Sequence, residues 1–177
     1  MKKALLSYSK SHFNPSEDKK PFTSAGVIAE SIWQSLLKAD YDVYYIDPGT
    51  EFEIPHDIDL FIGQPQNWFD LARKSQAKIK ILFLPTTHPL NKNRVLKKRA
   101  KQHGLKPEEL TKINHFVFKT FTEADYILQI GNEYAIRSLL KNGVPVNKII
   151  QIHYGVDHLK IENKENFGKI NNFIHLS

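Results

Sequence analysis

Two short polar stretches have residue types that suit the binding of a phosphate or a sugar hydroxyl. In the first, Ser24, Ala25 and Gly26 open a predicted helix that follows the first predicted strand. Free backbone N–H groups and the positive end of a helix attract anions at such a place, and Gly26 lets a ligand approach the backbone closely. A plain helix cap explains the same residues. The chain has no G-x-G-x-x-G pattern, which argues against an NAD site.

The second stretch is Thr86, Thr87 and His88, directly after the fourth predicted strand. Residues that follow a strand of a parallel sheet project at its carboxyl edge, where a binding cleft belongs. An imidazole at this place suits hydrogen bonding to a phosphate leaving group on which negative charge grows. The alternative is an ordinary surface-loop histidine, one of eight in the chain. No pair of these histidines has helix-face spacing with a carboxylate, so no metal site is expected.

Positive charge is concentrated in one segment. Residues 71–107 contain eleven Lys and Arg and no Asp or Glu, whereas the whole chain has a net charge of +6, so the remainder is net negative. Four of these residues are predicted to contact anionic lipid head groups, at ~1 kcal/mol per basic residue, or an anionic acceptor: Arg94, Lys97, Lys98 and Lys101. Few aromatic residues interleave with them, which argues against base stacking on single-stranded nucleic acid, and no nucleic-acid partner is expected. Binding to duplex nucleic acid through the basic segment is a further hypothesis, which steep salt-dependent binding would support. A solvated helix face is the alternative interpretation.

The elements that must position these residues alternate between strands and helices. Short apolar runs predict strands at 3–7, 42–47, 58–63, 79–84, 126–130 and 148–153. Helical periodicity predicts five helices. The first is capped by Ser24, the second lies near Trp68, the third covers 91–103, the fourth begins at Pro107, and the fifth is capped by Asn132. Such alternation predicts an α/β fold with a Rossmann-like parallel sheet and helices on both faces, a three-layer α/β/α arrangement.

The length and composition of the chain are those expected of one domain without a membrane-spanning segment. The chain has 177 residues, 41% of them hydrophobic and 25% charged, which is typical of a single globular domain. It contains no cysteine, which favours the cytoplasmic side, and no apolar run is long enough to cross a bilayer. We expect the domain to cover residues 1–158. Residues 159–177 are interpreted as a linker and the first strand of a further domain, with an edge strand of this domain as the alternative.

Residues 123–158 (EADYILQIGNEYAIRSLLKNGVPVNKIIQIHYGVDH) resemble the end of the amino-terminal domain in group 1 (family four) glycosyltransferases, which have the GT-B fold. In that family an acidic-Asp pair introduces a strand, a capped helix leads to a Gly-Val-Pro turn, and a Gly-Val-Asp turn leads into the interdomain linker. The corresponding residues here are Ala124 and Asp125, 143–145, and 155–157. The chain departs from the family at Asn132, where serine is usual, and at Ala25, where a glycine pair is common.

The resemblance implies that this chain is the acceptor-side half of a glycosyltransferase that moves a sugar from a nucleotide-sugar donor to a glycan or lipid-linked acceptor. It implies a catalytic contact from His88 and an acceptor cleft lined by the two polar stretches. Independently of the resemblance, His12, Phe13 and Trp68 are further candidates for the acceptor site, with a core position as the alternative for Trp68. The donor pocket would lie in the other domain, and no metal or cofactor is required. The chain alone is then expected to bind acceptor weakly and not to turn over. Gly155 and Asp157 are interpreted as a hinge.

A second hypothesis comes from a different class of protein. A freestanding flavodoxin-like domain that binds a ligand or a partner without catalysis would show the same alternation of strands and helices. Gene length would separate the two hypotheses. Peripheral contact between the basic segment and an anionic membrane is compatible with both hypotheses.

Overall fold

Six parallel strands form one sheet in the computed structural model, which describes residues 1–17, 23–48, 53–106 and 115–152. The strands are β1 (Lys2–Ser7), β2 (Tyr41–Ile46), β3 (Leu60–Gly63), β4 (Ile79–Leu84), β5 (Tyr126–Ile130) and β6 (Ile149–Ile152). The helices are α1 (Ser24–Lys38), α2 (Trp68–Ser75), α3 (Pro89–Gln102), α4 (His115–Glu123) and α5 (Glu133–Leu140). The predicted alternation of strands and helices is confirmed.

The winding of the sheet reverses once. The strand order is β2-β1-β3-β4-β5-β6, and every neighbouring pair is parallel. After β2 the chain crosses to the other side of β1 to add β3, and the later strands are added outward from there. The carboxyl ends of β1 and β3 therefore form a topological switch point, the place where doubly wound sheets bind ligands. The order of the first five strands is that of flavodoxin-like sheets.

Hydrophobic side chains cover both faces of the sheet. On one face, Ala29 and Leu36 of α1 pack with Ala4 and Leu6 of β1. On the other face, α2, α4 and α5 contribute to a second cluster whose buried helical members include Trp68, Phe69, Leu71, Ala72, Phe121 and Leu139. The alternation of side chains along each strand supplies one set of residues to each face. The fold is therefore the predicted Rossmann-like three-layer α/β/α arrangement with a parallel sheet.

Two aspartates fix the starts of neighbouring strands by the same device. The Asp59 carboxylate accepts the backbone N–H of Lys3 at 2.9 Å, just before β3. The Asp125 carboxylate accepts the backbone N–H of Lys80 at 2.8 Å, just before β5. In both pairs the aspartate also donates its own backbone N–H to the carbonyl of the same lysine, at 2.9 Å. Asp125 therefore fixes the start of β5 against β4.

Several predicted boundaries are wrong by one or two residues. The strand predicted at 58–63 begins at Leu60, because the side chain of Asp59 replaces a main-chain acceptor at that point. The strand predicted at 42–47 is Tyr41–Ile46. The strand predicted at 148–153 begins at Ile149, after a short 3-10 turn, and His153 lies outside the described residues. The helix predicted at 91–103 is Pro89–Gln102, because proline fits the first turn of a helix.

α3 differs from the other helices in how it is attached. Its single buried residue is the polar Asn91, and its basic side chains are largely exposed. It therefore lacks the apolar stripe by which a surface helix normally docks on a core. No helix in the described ranges is both long and apolar enough to cross a membrane.

Some predictions fall on residues that the structure does not describe. The proposed hinge residues Gly155 and Asp157, the linker and strand at 159–177, and the helix start at Pro107 lie outside the described ranges. They stay predictions.

Candidate functional site

The two polar stretches lie at the same edge of the sheet. α1 has 15 residues, about 22 Å in length, and only Ala39 and Asp40 separate its end from the start of β2. Its start is therefore at the carboxyl edge of the sheet. Thr86 and Thr87 follow β4 directly and lie at that edge too. The topology thus places both stretches that the sequence predicts to share a cleft at the carboxyl edge of the sheet.

The cap of α1 is Thr23, and the prediction of Ser24 is wrong. Thr23 has extended backbone angles, with φ −108° and ψ 151°, and its Oγ1 accepts the N–H of Gly26 at 3.1 Å. An N-cap residue must leave the helical conformation for its side chain to reach back in this way, whereas Ser24 is already helical and exposed. Gly26 is buried and its N–H is used by the cap, so within the described residues the unpaired N–H groups at this helix start are those of Ser24 and Ala25.

His88 is a buried helix cap. Its side chain is 2% exposed, and its Nδ1 accepts the backbone N–H of Leu90 at the start of α3, at 3.2 Å. Its own backbone N–H donates to Ser138 Oγ on α5 at 2.9 Å. The ring stacks in a tilted arrangement on Phe121 of α4, with 4.5 Å between centroids. One histidine therefore joins α3, α4 and α5 behind the loop that follows β4.

Burial also decides the protonation state of this ring. Removal from water lowers the pKa of His88 from 6.5 to about 4. The ring is then neutral at pH 7, and because Nδ1 accepts a hydrogen bond, the proton lies on Nε2. The interpretation of His88 as a surface-loop histidine is wrong. Its catalytic role stays a prediction, and the exposed or half-buried side chains of this loop are those of Thr86 and Thr87.

Aromatic residues connect the loop after β1 to β4. Tyr8 is buried at the end of β1, and its ring lies 5.7 Å from Phe83 of β4 and 6.5 Å from His12. His12 is exposed, as a ligand contact requires. Phe13, by contrast, is buried against Tyr45, and Trp68 is 0% exposed. The suggestion that Phe13 and Trp68 line an acceptor site is therefore wrong, because both side chains are part of the core.

Polar contacts hold three loops of this edge together. The backbone N–H of Lys10, after β1, donates to the Asp47 carboxylate after β2 at 2.8 Å. The Asn67 side chain, after β3, donates to the carbonyl of Pro48. These contacts connect the loops that follow β1, β2 and β3 at the carboxyl edge of the sheet.

Sequence reasoning missed one feature of the switch point. Ser7, the last residue of β1, is 0% exposed, and its Oγ has no hydrogen-bond partner among the residues that the structure describes. It lies beside Gly63, the last residue of β3, in the parallel register. Side-chain alternation puts both on the α2 face of the sheet. The strand order that creates this position has no signal in the sequence, since alternation alone does not state which strands are neighbours.

Four basic side chains form a row on α3. Arg94, Lys97, Lys98 and Lys101 have the i, i+3, i+4, i+7 spacing of one helix face, and all four are exposed. The described residues show no ion pair to any of them. The predicted contact with anionic lipid or acceptor is thus sterically open. No group of three or more potential metal ligands occurs among the residues that the structure describes.

The fold and this edge define a doubly wound α/β protein with a candidate ligand site at the carboxyl ends of its strands. Comparison of the chain with protein-family models, with curated proteins and with solved structures finds no match.

Proposed function

We propose that this chain forms the acceptor-binding wall of a sugar-transfer cleft of the GT-B type, at the cytoplasmic side of a membrane. The observation that carries the proposal is the placement of the α1 start and the Thr86–Thr87 loop on one edge of a parallel sheet. The resemblance of residues 123–158 to group 1 glycosyltransferases supplies the reaction class. Nucleotide-sugar donors would be bound mainly by a second domain, without a metal or cofactor.

Each part of the edge has a separate task in this proposal. The hydroxyl groups of Thr86 and Thr87, the N–H groups of Ser24 and Ala25, and the ring of His12 hydrogen-bond a glycan or lipid-linked acceptor, because all are accessible or half accessible at the edge. Sugar hydroxyls both donate and accept hydrogen bonds, and these groups offer both functions. A polar wall of this kind orients an acceptor without reacting with it.

His88 acts in this proposal chiefly by holding the loop. Its cap on α3 and its bond to Ser138 fix the backbone that carries Thr87. A neutral ring with its proton on Nε2 is a hydrogen-bond donor, so it suits a leaving phosphate only if substrate binding exposes that nitrogen. A contact of this type would make His88 catalytic, as the family resemblance implies.

The experiment that tests the proposal is an amide-resolved NMR titration of the chain with soluble glycans and alkyl glycosides. We expect shifts at Ser24, Ala25, Thr86 and Thr87, and weaker binding in the Thr87→Ala variant. Thr122→Ala is the matched control, because Thr122 is exposed near the end of α4, just before β5, away from the carboxyl edge. Shifts at the amino edge of the sheet, or none with any glycan, would contradict the acceptor role.

A freestanding flavodoxin-like ligand-binding domain is the second candidate function. Its support is the β2-β1-β3-β4-β5 order together with the unpartnered Ser7 hydroxyl at the switch point. Titration with flavin and adenine nucleotides separates the two. Shifts centred on Ser7 and Gly63 favour this candidate, whereas glycan shifts at Thr86 and Thr87 favour the acceptor wall.

A further inference from the structure

A small polar pocket lies between the first turns of α3 and the end of α5. It has a volume of about 90 Å³ and is lined by Leu90, Asn91, Arg94, Lys141 and Asn142. A space of this size admits a small tetrahedral anion such as phosphate.

Hydrogen bonds fix the pocket walls. Asn91 is 4% exposed; its side-chain oxygen accepts from the Arg94 guanidinium, and its amide nitrogen donates to Tyr134 Oη at 3.0 Å. On the opposite wall the side-chain nitrogen of Asn142 donates to the carbonyl of Ser138 at 2.7 Å. Arg94 is thus held in place by a buried partner, and it uses only part of its five N–H donors there.

The charge of the pocket is uncompensated. Arg94 and Lys141 both line it, and none of its described lining residues is a carboxylate. Within the described residues neither forms an ion pair. Both side chains are exposed, so an anion can reach them from solvent.

Capping of α5 does not explain Lys141. A lysine at a helix end often serves the last carbonyl groups. Here those carbonyl groups already accept hydrogen bonds. The Arg137 carbonyl accepts the backbone N–H of Lys141, and the Ser138 carbonyl accepts the side-chain amide of Asn142. The Leu139 carbonyl accepts the backbone N–H groups of Asn142 and Val144, and the Leu140 carbonyl accepts that of Gly143. The ammonium group of Lys141 is therefore available to a ligand.

We propose that this pocket binds a phosphate group. The Arg94 guanidinium and the Lys141 ammonium neutralise it. The site is distinct from the carboxyl edge and does not depend on sugar transfer. The phosphate is either a free anion or the head group of a lipid against which the exposed row Lys97, Lys98 and Lys101 would lie.

The test measures binding of inorganic phosphate by calorimetry at constant ionic strength. Arg94→Gln and Lys141→Gln should each weaken binding about tenfold, as the loss of a hydrogen bond between charged groups does. Arg99→Gln and Lys92→Gln are the matched controls, because both residues are exposed on α3, do not line the pocket and lie outside the row of basic residues. They should change the affinity less than about twofold. Thermal unfolding of each variant without phosphate shows that it is folded.

A second arm identifies the source of the phosphate, with phosphatidylcholine vesicles that contain phosphatidic acid. A lipid source is indicated if Arg94→Gln reduces vesicle binding more than Arg99→Gln does and inorganic phosphate competes. A free anion is indicated if only inorganic phosphate binding depends on Arg94. The proposal is overturned if the controls weaken binding as much as the pocket variants, which would show general attraction to the basic helix. It is also overturned if neither ligand binds in a way that depends on Arg94 and Lys141.

Discussion

Acidification should destabilise this protein through His88. The pKa of His88 is 6.5 in the unfolded chain and about 4 in the folded one, because burial disfavours the charged ring. Within the described part of the chain His88 contacts Leu90, Phe121 and Ser138, none of which carries a charge that could stabilise an imidazolium. Between these two pH values the unfolded chain binds more protons than the folded one, so the free energy of unfolding falls as pH falls.

The magnitude follows from the pKa difference. A change from 6.5 to about 4 is worth about 3 kcal/mol, and the 2% exposure of the side chain leaves little solvent screening. The full contribution is present above pH 6.5 and is lost by about pH 4. Since a domain of this kind has about 5–15 kcal/mol of stability in total, the loss is easily measured.

The assay is urea unfolding at a series of pH values in the wild type and in His88→Asn. Asparagine is a good N-cap and does not titrate, so it keeps the cap and removes the proton site. The wild type should lose about 3 kcal/mol more than the variant between pH 6.5 and pH 4. The other seven histidines are common to both proteins and cancel in the difference. Parallel pH profiles would show that His88 is accessible and titrates normally, which would refute its burial.

Three further predictions concern the positions of other residues and are tested by chemical unfolding. Thr23→Ala should cost about 1 kcal/mol because it removes the α1 cap, whereas Ser24→Ala should change stability by less than about 0.5 kcal/mol; equal effects would contradict the cap assignment. Gly63→Ala should cost about 1–3 kcal/mol, because its new Cβ would lie 2.7 Å from Phe61 Cζ and 3.2 Å from Trp68 Cδ1; a stable variant would mean that the ring of Phe61 can move. Trp68→Phe should cost about 1–3 kcal/mol through loss of the 3.0 Å bond from its indole N–H to a β4 carbonyl, and an unchanged midpoint would contradict that bond.

The fold class was predictable because the strands are short apolar runs and the helices have amphipathic spacing. The strand Ile79–Leu84 was predicted with its bounds correct, since Pro85 ends it and polar residues precede it. The strand order was not predictable, because the crossing of the chain over β1 depends on which faces the helices cover. The switch point, and with it the significance of Ser7, therefore became visible only in the folded chain.

The candidate site was predicted in position but less well in detail. Residues that follow strands lie at the carboxyl edge of any parallel sheet, so Thr86 and Thr87 fell where the sequence put them. Burial of His88 was not predictable, because it depends on Phe121 and Ser138, which are 33 and 50 residues away in sequence. A histidine before proline also has the signature of a helix cap, and that local signal could have identified its structural role.

The attachment of α3 explains why a histidine and an asparagine are buried beside it. A helix dense in lysine and arginine has only a narrow apolar face, so directional contacts contribute to its position. The bonds of His88 and Asn91 to α5 provide two such contacts at its start. Val95, Leu96 and Ala100 are half-buried further along α3, and the basic row is exposed. The same junction thus holds the Thr86–Thr87 loop on one side and shapes the Arg94–Lys141 pocket on the other.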